Sequence, residues 1–162
     1  MNKEQFIATI NEYRSLIYKV CHSYCPNKAD HQDLEQDIIM QLWTSMSRYN
    51  GSVKMSTWIY RIALNTAISY YRKEKNRSHV DSHSFIELAR HTYDAETDEH
   101  IKLLYTFIDQ LNYLDKALML LYLDDNKYKD IADILGISES NVSTKMNRIK
   151  IKLKNFFHPE KA

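Results

Sequence analysis

Residues 131–154 read IADILGISESNVSTKMNRIKIKLK. Ile131, Ala132 and Leu135 fall on one side of a short helix that the pattern places over Lys127 to Leu135. Gly136 suits the left-handed position that ends a helix, and the Ser138 hydroxyl suits the N-cap of the next one. Asn141 stands where Glu or Gln would complete a reciprocal capping box, so the expected cap is one-sided. In the second helix Val142, Met146, Ile149 and Leu153 recur at spacings of 4, 3 and 4 and predict a buried stripe. The other side falls to Ser140, Ser143, Thr144, Asn147 and Arg148. This is the pattern of a helix-turn-helix. Small polar residues let the helix start approach base edges in a major groove, where amide, hydroxyl and guanidinium groups bond to bases or phosphates. Lys145, Lys150, Lys152 and Lys154 add charge for the DNA backbone, an attraction that weakens with salt. A helical hairpin with a solvated basic face would explain the lysines alone.

Working outward, Leu104, Phe107, Ile108 and Leu111 followed by ALMLLYL (117–123) continue the helical pattern back to Ile101. Upstream of that, residues 78–100 (SHVDSHSFIELARHTYDAETDEH) hold four histidines and short apolar clusters with little periodicity, as a linker does. The acids Asp81, Glu87, Asp94, Glu96, Asp98 and Glu99 face a single Arg90 there, whereas Ser143 to Lys154 carries five cations and no acid. The net charge of +1 therefore conceals a segregated chain, and segregation bears on a nucleic-acid partner more than the sum does.

The N-terminal half reads as three helices. Phe6, Ile10, Tyr13, Ile17, Val20 and Tyr24 form one continuous stripe that ends near Pro26 and Asn27. A second helix is expected from Asp30 or His31, burying Leu34, Ile38, Leu42 and Met46, until RYNGSVKMS interrupts it. A third, from about Ser56 to Lys75, is apolar through Ile59, Ile62, Ala63, Ala67 and Tyr70 and again through Leu64, Ile68 and Tyr71. Between these sides runs a strip of Trp58, Arg61, Asn65, Ser69 and Arg72, which suits single-stranded nucleic acid if the ring stacks on bases and the arginines track phosphate. With only 2 Gly and 2 Pro in 162 residues, tight hairpin turns are scarce. The expected fold is all-α: two small helical domains, 1–77 and 101–158, joined by a flexible acidic linker over 78–100.

Other classes find little support. No apolar run approaches the roughly 20 residues that cross a bilayer, and no leader pattern precedes the first helix, so a cytoplasmic protein is expected. Cys21 and Cys25, with His22 between them, lack the spacing of a zinc site and read as packing residues at a helix end. No Gly-rich phosphate loop, nucleophile elbow or metal-spaced cluster points to an enzyme, and no cofactor is implied.

Three motifs in this order resemble the extracytoplasmic-function (ECF) sigma factors of bacterial RNA polymerase. DLEQDIIMQLW (33–43) is similar to the family's core-binding helix, with Asp37 where Glu is usual; STWIYRIALNTAISYYRK (56–73) is similar to its promoter-melting helix; YKDIADILGISESNVSTKMNRIKIKL (128–153) is similar to its minus-thirty-five reader. The resemblance implies core RNA polymerase, promoter DNA and an anti-sigma factor as partners, with the free protein a monomer. It implies that Asp33, Gln36, Asp37, Leu42 and Trp43 contact core polymerase. It implies further that Arg48, Tyr49, Asn50, Lys54, Trp58, Arg61, Asn65 and Arg72 serve the minus-ten element, including a flipped base. Ser140, Ser143, Thr144, Lys145, Asn147 and Arg148 would serve the minus-thirty-five element. The linker would pass through the polymerase's nucleic-acid channels. Ser69 stands where Asp is frequent, and Ser143 and Lys145 stand where the family usually has basic residues, which leaves more of the reading to hydroxyls. A stand-alone helix-turn-helix regulator is the alternative, and it leaves the strip from Trp58 to Arg72 and the DLEQD helix unexplained.

Overall fold

The computed structural model describes residues 1–25, 27–77 and 99–159, and the chain divides into two compact units, Met1–Leu88 and Ala89–Ala162. Every regular element among the described residues is helical. Residues 78–98, most of the expected linker, lie outside the described residues.

The first unit holds α1 (Lys3–Glu12), α2 (Arg14–Tyr24), α3 (Lys28–Ser45), a 3-10 turn (Met46–Arg48) and α4 (Met55–Arg77). Asn2 starts α1 with a full capping box: its side chain accepts from the Gln5 N–H at 2.8 Å, and its own N–H donates to the Gln5 side chain at 3.0 Å. The single stripe expected from Phe6 to Tyr24 is carried by two helices, not one, because the chain turns slightly at Tyr13. The break is shallow. Tyr13 N–H still bonds the Thr9 carbonyl and its own carbonyl still accepts from Ile17, so the apolar periodicity passes through the joint and hides it from the sequence.

The second expected helix starts earlier than read, at Lys28. Asn27 is its cap, accepting from the Ala29 N–H at 3.0 Å. Leu34, Ile38 and Leu42 are fully buried, whereas Met46 leaves the helix for the 3-10 turn and is half-buried. On α4, Ile59, Ala63, Leu64 and Ala67 are buried. Helices α2, α3 and α4 pack pairwise around these residues, and the two alanines allow close approach.

Cys21 and Cys25 are reduced thiols buried within this unit. Burial, reinforced by the charge of Glu35, pushes the Cys21 thiol up to about 12, so it stays protonated at neutral pH and packs as a small apolar group. Among the described residues no cluster of three or more His, Cys, Asp or Glu is arranged to hold a metal ion. His22 and His31 lie with ring centres 6.5 Å apart, beside Tyr18.

The second unit holds α5 (Glu99–Asp109), α6 (Tyr113–Leu123), α7 (Tyr128–Leu135) and α8 (Glu139–Phe157). Asn112 caps α6 by accepting from the Asp115 N–H at 2.9 Å. Helix α6 is the centre of this core: Ala117, Leu118, Met119, Leu120 and Leu121 are all buried in one unbroken run, with the Lys116 side chain buried beside them, so its middle is packed on every side. Helix α7 buries Ile131, Ala132 and Ile134; the expected Leu135 is only half-buried, because the helix ends there and turns its last side chain toward the rim. Gly136 has φ +70°, and the N–H groups of both Gly136 and Ile137 donate to the Ala132 carbonyl, which fixes the bend.

The two units should respond to pH in opposite senses. Burial holds His22 and His31 below the usual imidazole range, with the charge of His31 adding to it at His22 and the charge of Glu35 opposing it at His31. The unfolded chain takes up protons there from about pH 6.5 downward and the folded unit resists, so the first unit loses stability as pH falls through that window. In the second unit burial, opposed by the charge of Lys116, raises the Asp109 carboxyl to about 7. Its folded form prefers the proton, so that unit gains stability as pH falls from about 7 toward 4. Both tryptophans, Trp43 and Trp58, belong to the first unit. Tryptophan fluorescence should therefore show a lower melting midpoint at pH 5.5 than at 7.5, with the difference reduced in His22→Gln/His31→Gln protein.

Candidate nucleic-acid and partner interfaces

Helix α8 is capped by Ser138, whose hydroxyl accepts from the Asn141 N–H at 3.0 Å. Val142, Met146 and Ile149 are buried and Leu153 half-buried, and together they fix the roll of the helix. That roll leaves Ser140, Thr144, Asn147 and Arg148 exposed and Ser143 and Lys145 half-buried. Thr144 donates its hydroxyl to the Ser140 carbonyl at 3.1 Å. Its one hydroxyl proton is committed to its own helix, so it has only lone pairs and a methyl group to offer a partner. Lys150 is exposed and has partners within its own unit. Its ammonium donates to the Tyr128 hydroxyl at 3.1 Å and sits 4.9 Å from the centre of the Tyr122 ring, which ties it to neighbouring helices. Lys152 and Lys154 remain exposed.

On α4 the polar strip is shorter than read. Asn65, Ser69 and Arg72 are exposed and Arg61 half-buried, but Trp58 is only 8% exposed. It lies at the edge of the core and packs on Tyr49, with ring centres 5.1 Å apart, so it supports the loop and cannot stack on a base from this position. A heptad-like spacing gave Trp58 and Arg61 one face; the preference of a large ring for burial decided otherwise.

The loop between the 3-10 turn and α4 exposes Arg48, Asn50 and Lys54, with Tyr49 half-buried. Tyr49 donates its hydroxyl to the Val53 carbonyl at 2.8 Å, the Asn50 side chain accepts from the Ser52 N–H at 3.0 Å, and Gly51 takes φ +77° at the tip. The Lys54 carbonyl accepts from the Trp58 N–H at 3.0 Å and opens α4.

Along α3, Asp33, Gln36, Asp37 and Trp43 are exposed, Trp43 by 47%. Its ring meets Phe6 of α1 edge-on at 4.9 Å. Leu42 is a correction: it is fully buried and holds α3 to the core, so it has no side chain to offer a partner. Sequence reasoning also missed two residues, Met40 and Ile7, at 64% and 49% exposed. Met40 was legible, since Asp33, Gln36, Met40 and Trp43 step by 3, 4 and 3 along one face, while Leu34, Ile38 and Leu42 step by 4 along the other.

With this geometry in place, comparison with known proteins is decisive. Sigma-70 region 2 matches residues 9–77, and Sigma-70, region 4 matches residues 101–153. The chain is a sigma factor of the sigma-70 class. Within that class it belongs to the ECF group, and it directs promoter-specific transcription initiation. It is 27% identical to RNA polymerase sigma factor SigV of Bacillus subtilis (strain 168), over 90% of this chain and 87% of that one. It is also 27% identical to the ECF RNA polymerase sigma factor SigM of the same organism, over 90% and 91%. Among solved structures it resembles CnrH in complex with the cytosolic domain of CnrY, with TM-score 0.71, 18% identity, and 96% and 89% coverage. It also resembles the sigma factor RpoE in complex with the anti-sigma factor NepR from Bartonella quintana, with TM-score 0.73, 14% identity, and 95% and 97% coverage.

Proposed function

We infer that the exposed face of α3 docks on core RNA polymerase, that residues 48–55 and the α4 strip engage the minus-ten element, and that the start of α8 reads the minus-thirty-five element. The observation that carries this reading is the division of surfaces within the first unit. Trp43, Met40, Gln36 and the carboxylates of Asp33 and Asp37 form a half-apolar, acidic face on α3, which suits a protein partner carrying arginines and repels DNA. The cations Arg48, Lys54, Arg61 and Arg72 lie on the loop and on α4 instead. A stand-alone regulator would have no use for the α3 face.

Each unit alone offers few phosphate and base contacts and binds DNA weakly. Polymerase fixes their separation and raises the effective concentration of the second at its site once the first has bound. The chain itself breaks and makes no bonds; it acts in the cytoplasm beside the polymerase and is a monomer when free. An anti-sigma factor that covers these surfaces would hold it inactive; the similar CnrH and RpoE structures were solved in complex with the cytosolic domain of CnrY and with the anti-sigma factor NepR. Among the described residues no helix is long and apolar enough to cross a membrane.

The test is promoter selection from a randomised DNA library, with and without core enzyme. Selectivity should emerge only in the presence of core. Equal selectivity by the free chain would favour the stand-alone regulator.

A further inference from the structure

The loop from Tyr49 to Lys54 has no regular structure, and its tip is exposed. A loop free to sample many shapes loses entropy when it closes on a ligand, so whatever fixes its shape beforehand strengthens binding and sharpens selection. Tyr49 is placed to do this. Its N–H bonds the Met46 carbonyl at 3.1 Å, anchoring it to the 3-10 turn, and its hydroxyl crosses the loop to the Val53 carbonyl at 2.8 Å. The ring rests on Trp58 at 5.1 Å with the planes inclined by 44°, and Trp58 is fixed in turn by burial in the core. Tyr49 thus ties the start of the 3-10 turn through its backbone, and the far limb of the loop and the first turn of α4 through its side chain.

The same bonds limit what Tyr49 can offer a base. Its single hydroxyl proton is used on Val53, and one face of its ring is used on Trp58. Asn50 lies on the exposed side; its side-chain carbonyl accepts from Ser52, which leaves the amide NH2 as a donor, and Lys54 beside it is exposed.

We propose that Tyr49 is a positioning residue for base capture. Its hydroxyl bond to Val53 and its seat on Trp58 hold the loop in the shape that lets Asn50 and Lys54 receive a displaced base presenting hydrogen-bond acceptors. This inference rests on reading residues 48–55 as the minus-ten loop. It moves Tyr49 and Trp58 from the surface that meets the base to the frame behind it.

Tyr49→Phe keeps the ring on Trp58 and removes only the bond to Val53. The full-length variant, assembled with core RNA polymerase, is assayed on promoters randomised across the minus-ten region. Discrimination at one position should fall by about threefold to tenfold, the scale of one hydrogen bond. The same position should relax in Asn50→Ala, while both variants stay folded and capture core polymerase at the wild-type level. Wild-type discrimination by Tyr49→Phe would overturn the proposal, as would a uniform loss across all promoters, which marks a merely structural residue. If Asn50→Ala and Lys54→Ala leave every minus-ten position unchanged, the loop is not the reader and the underlying assignment falls with it.

Discussion

Trp43→Ala is expected to weaken capture of core RNA polymerase about thirtyfold or more, while Leu42→Ala, one residue away, fails for a different reason. An exposed aromatic at the centre of a docking face is the kind of residue whose truncation costs about 2 kcal/mol or more of binding. Trp43 is 47% exposed and touches its own domain through the edge of Phe6, so removing it should cost the fold only about 1 kcal/mol. Leu42 is fully buried between α3 and its neighbours, and truncation there removes about 2–5 kcal/mol of stability, enough to unfold a small helical unit. Immobilised core enzyme and thermal melting separate the two: Trp43→Ala should be folded and unbound, Leu42→Ala unbound because unfolded. Asp33→Arg should behave like Trp43→Ala, since it sets a cation against partner arginines. Full binding by folded Trp43→Ala would remove α3 from the polymerase interface.

Why the sequence separated some residues and not others follows from what each signal measures. Stripes at helical spacing report which side is apolar, and they placed Leu34, Ile38, Ile59, Ala63, Val142, Met146 and Ile149 in the cores. Gly136 and Ser138 were legible because a left-handed bend and an N-cap each demand particular chemistry. Tyr13 was not, because its break keeps the hydrogen-bond ladder almost intact and leaves the stripe unbroken. Asn27 was overlooked as a cap because the apolar pattern of α3 begins only at Leu34, two turns after the helix does. Trp58 and Leu42 went astray together. Helical spacing put Trp58 on the polar strip, and resemblance gave Leu42 a partner contact although its stripe already buried it; burial of a large apolar side chain is set by its three-dimensional neighbours. Lys150 is the polar counterpart: a basic tail read as uniform charge, but two tyrosines from other helices, Tyr122 and Tyr128, lie close enough to claim its ammonium.

The side chains on the exposed face of α8 should leave different signatures on DNA binding. With Lys150 tied to Tyr128, Arg148 is the cation on the exposed face nearest the polar start of α8, and Arg148→Ala should lower affinity for a minus-thirty-five duplex about tenfold. If its guanidinium lies on phosphate, the loss is similar for every sequence, and the slope of log affinity against log salt falls by about one, the count of a single released ion. Asn147→Ala should act differently. An amide can pair with both hydrogen-bonding atoms of an adenine edge, so its removal relaxes preference at one base pair and leaves the salt slope alone. Thr144→Val offers a third outcome, because the native hydroxyl proton is held by the Ser140 carbonyl: valine keeps the methyl contact and loses only an acceptor, so the change should be small at a thymine and larger where a base donates. Titrating each variant, within holoenzyme, against matched and mismatched duplexes at two salt concentrations distinguishes these signatures. Should the three variants shift affinity and slope together, the exposed face of α8 binds backbone alone, and minus-thirty-five selectivity must come from DNA shape.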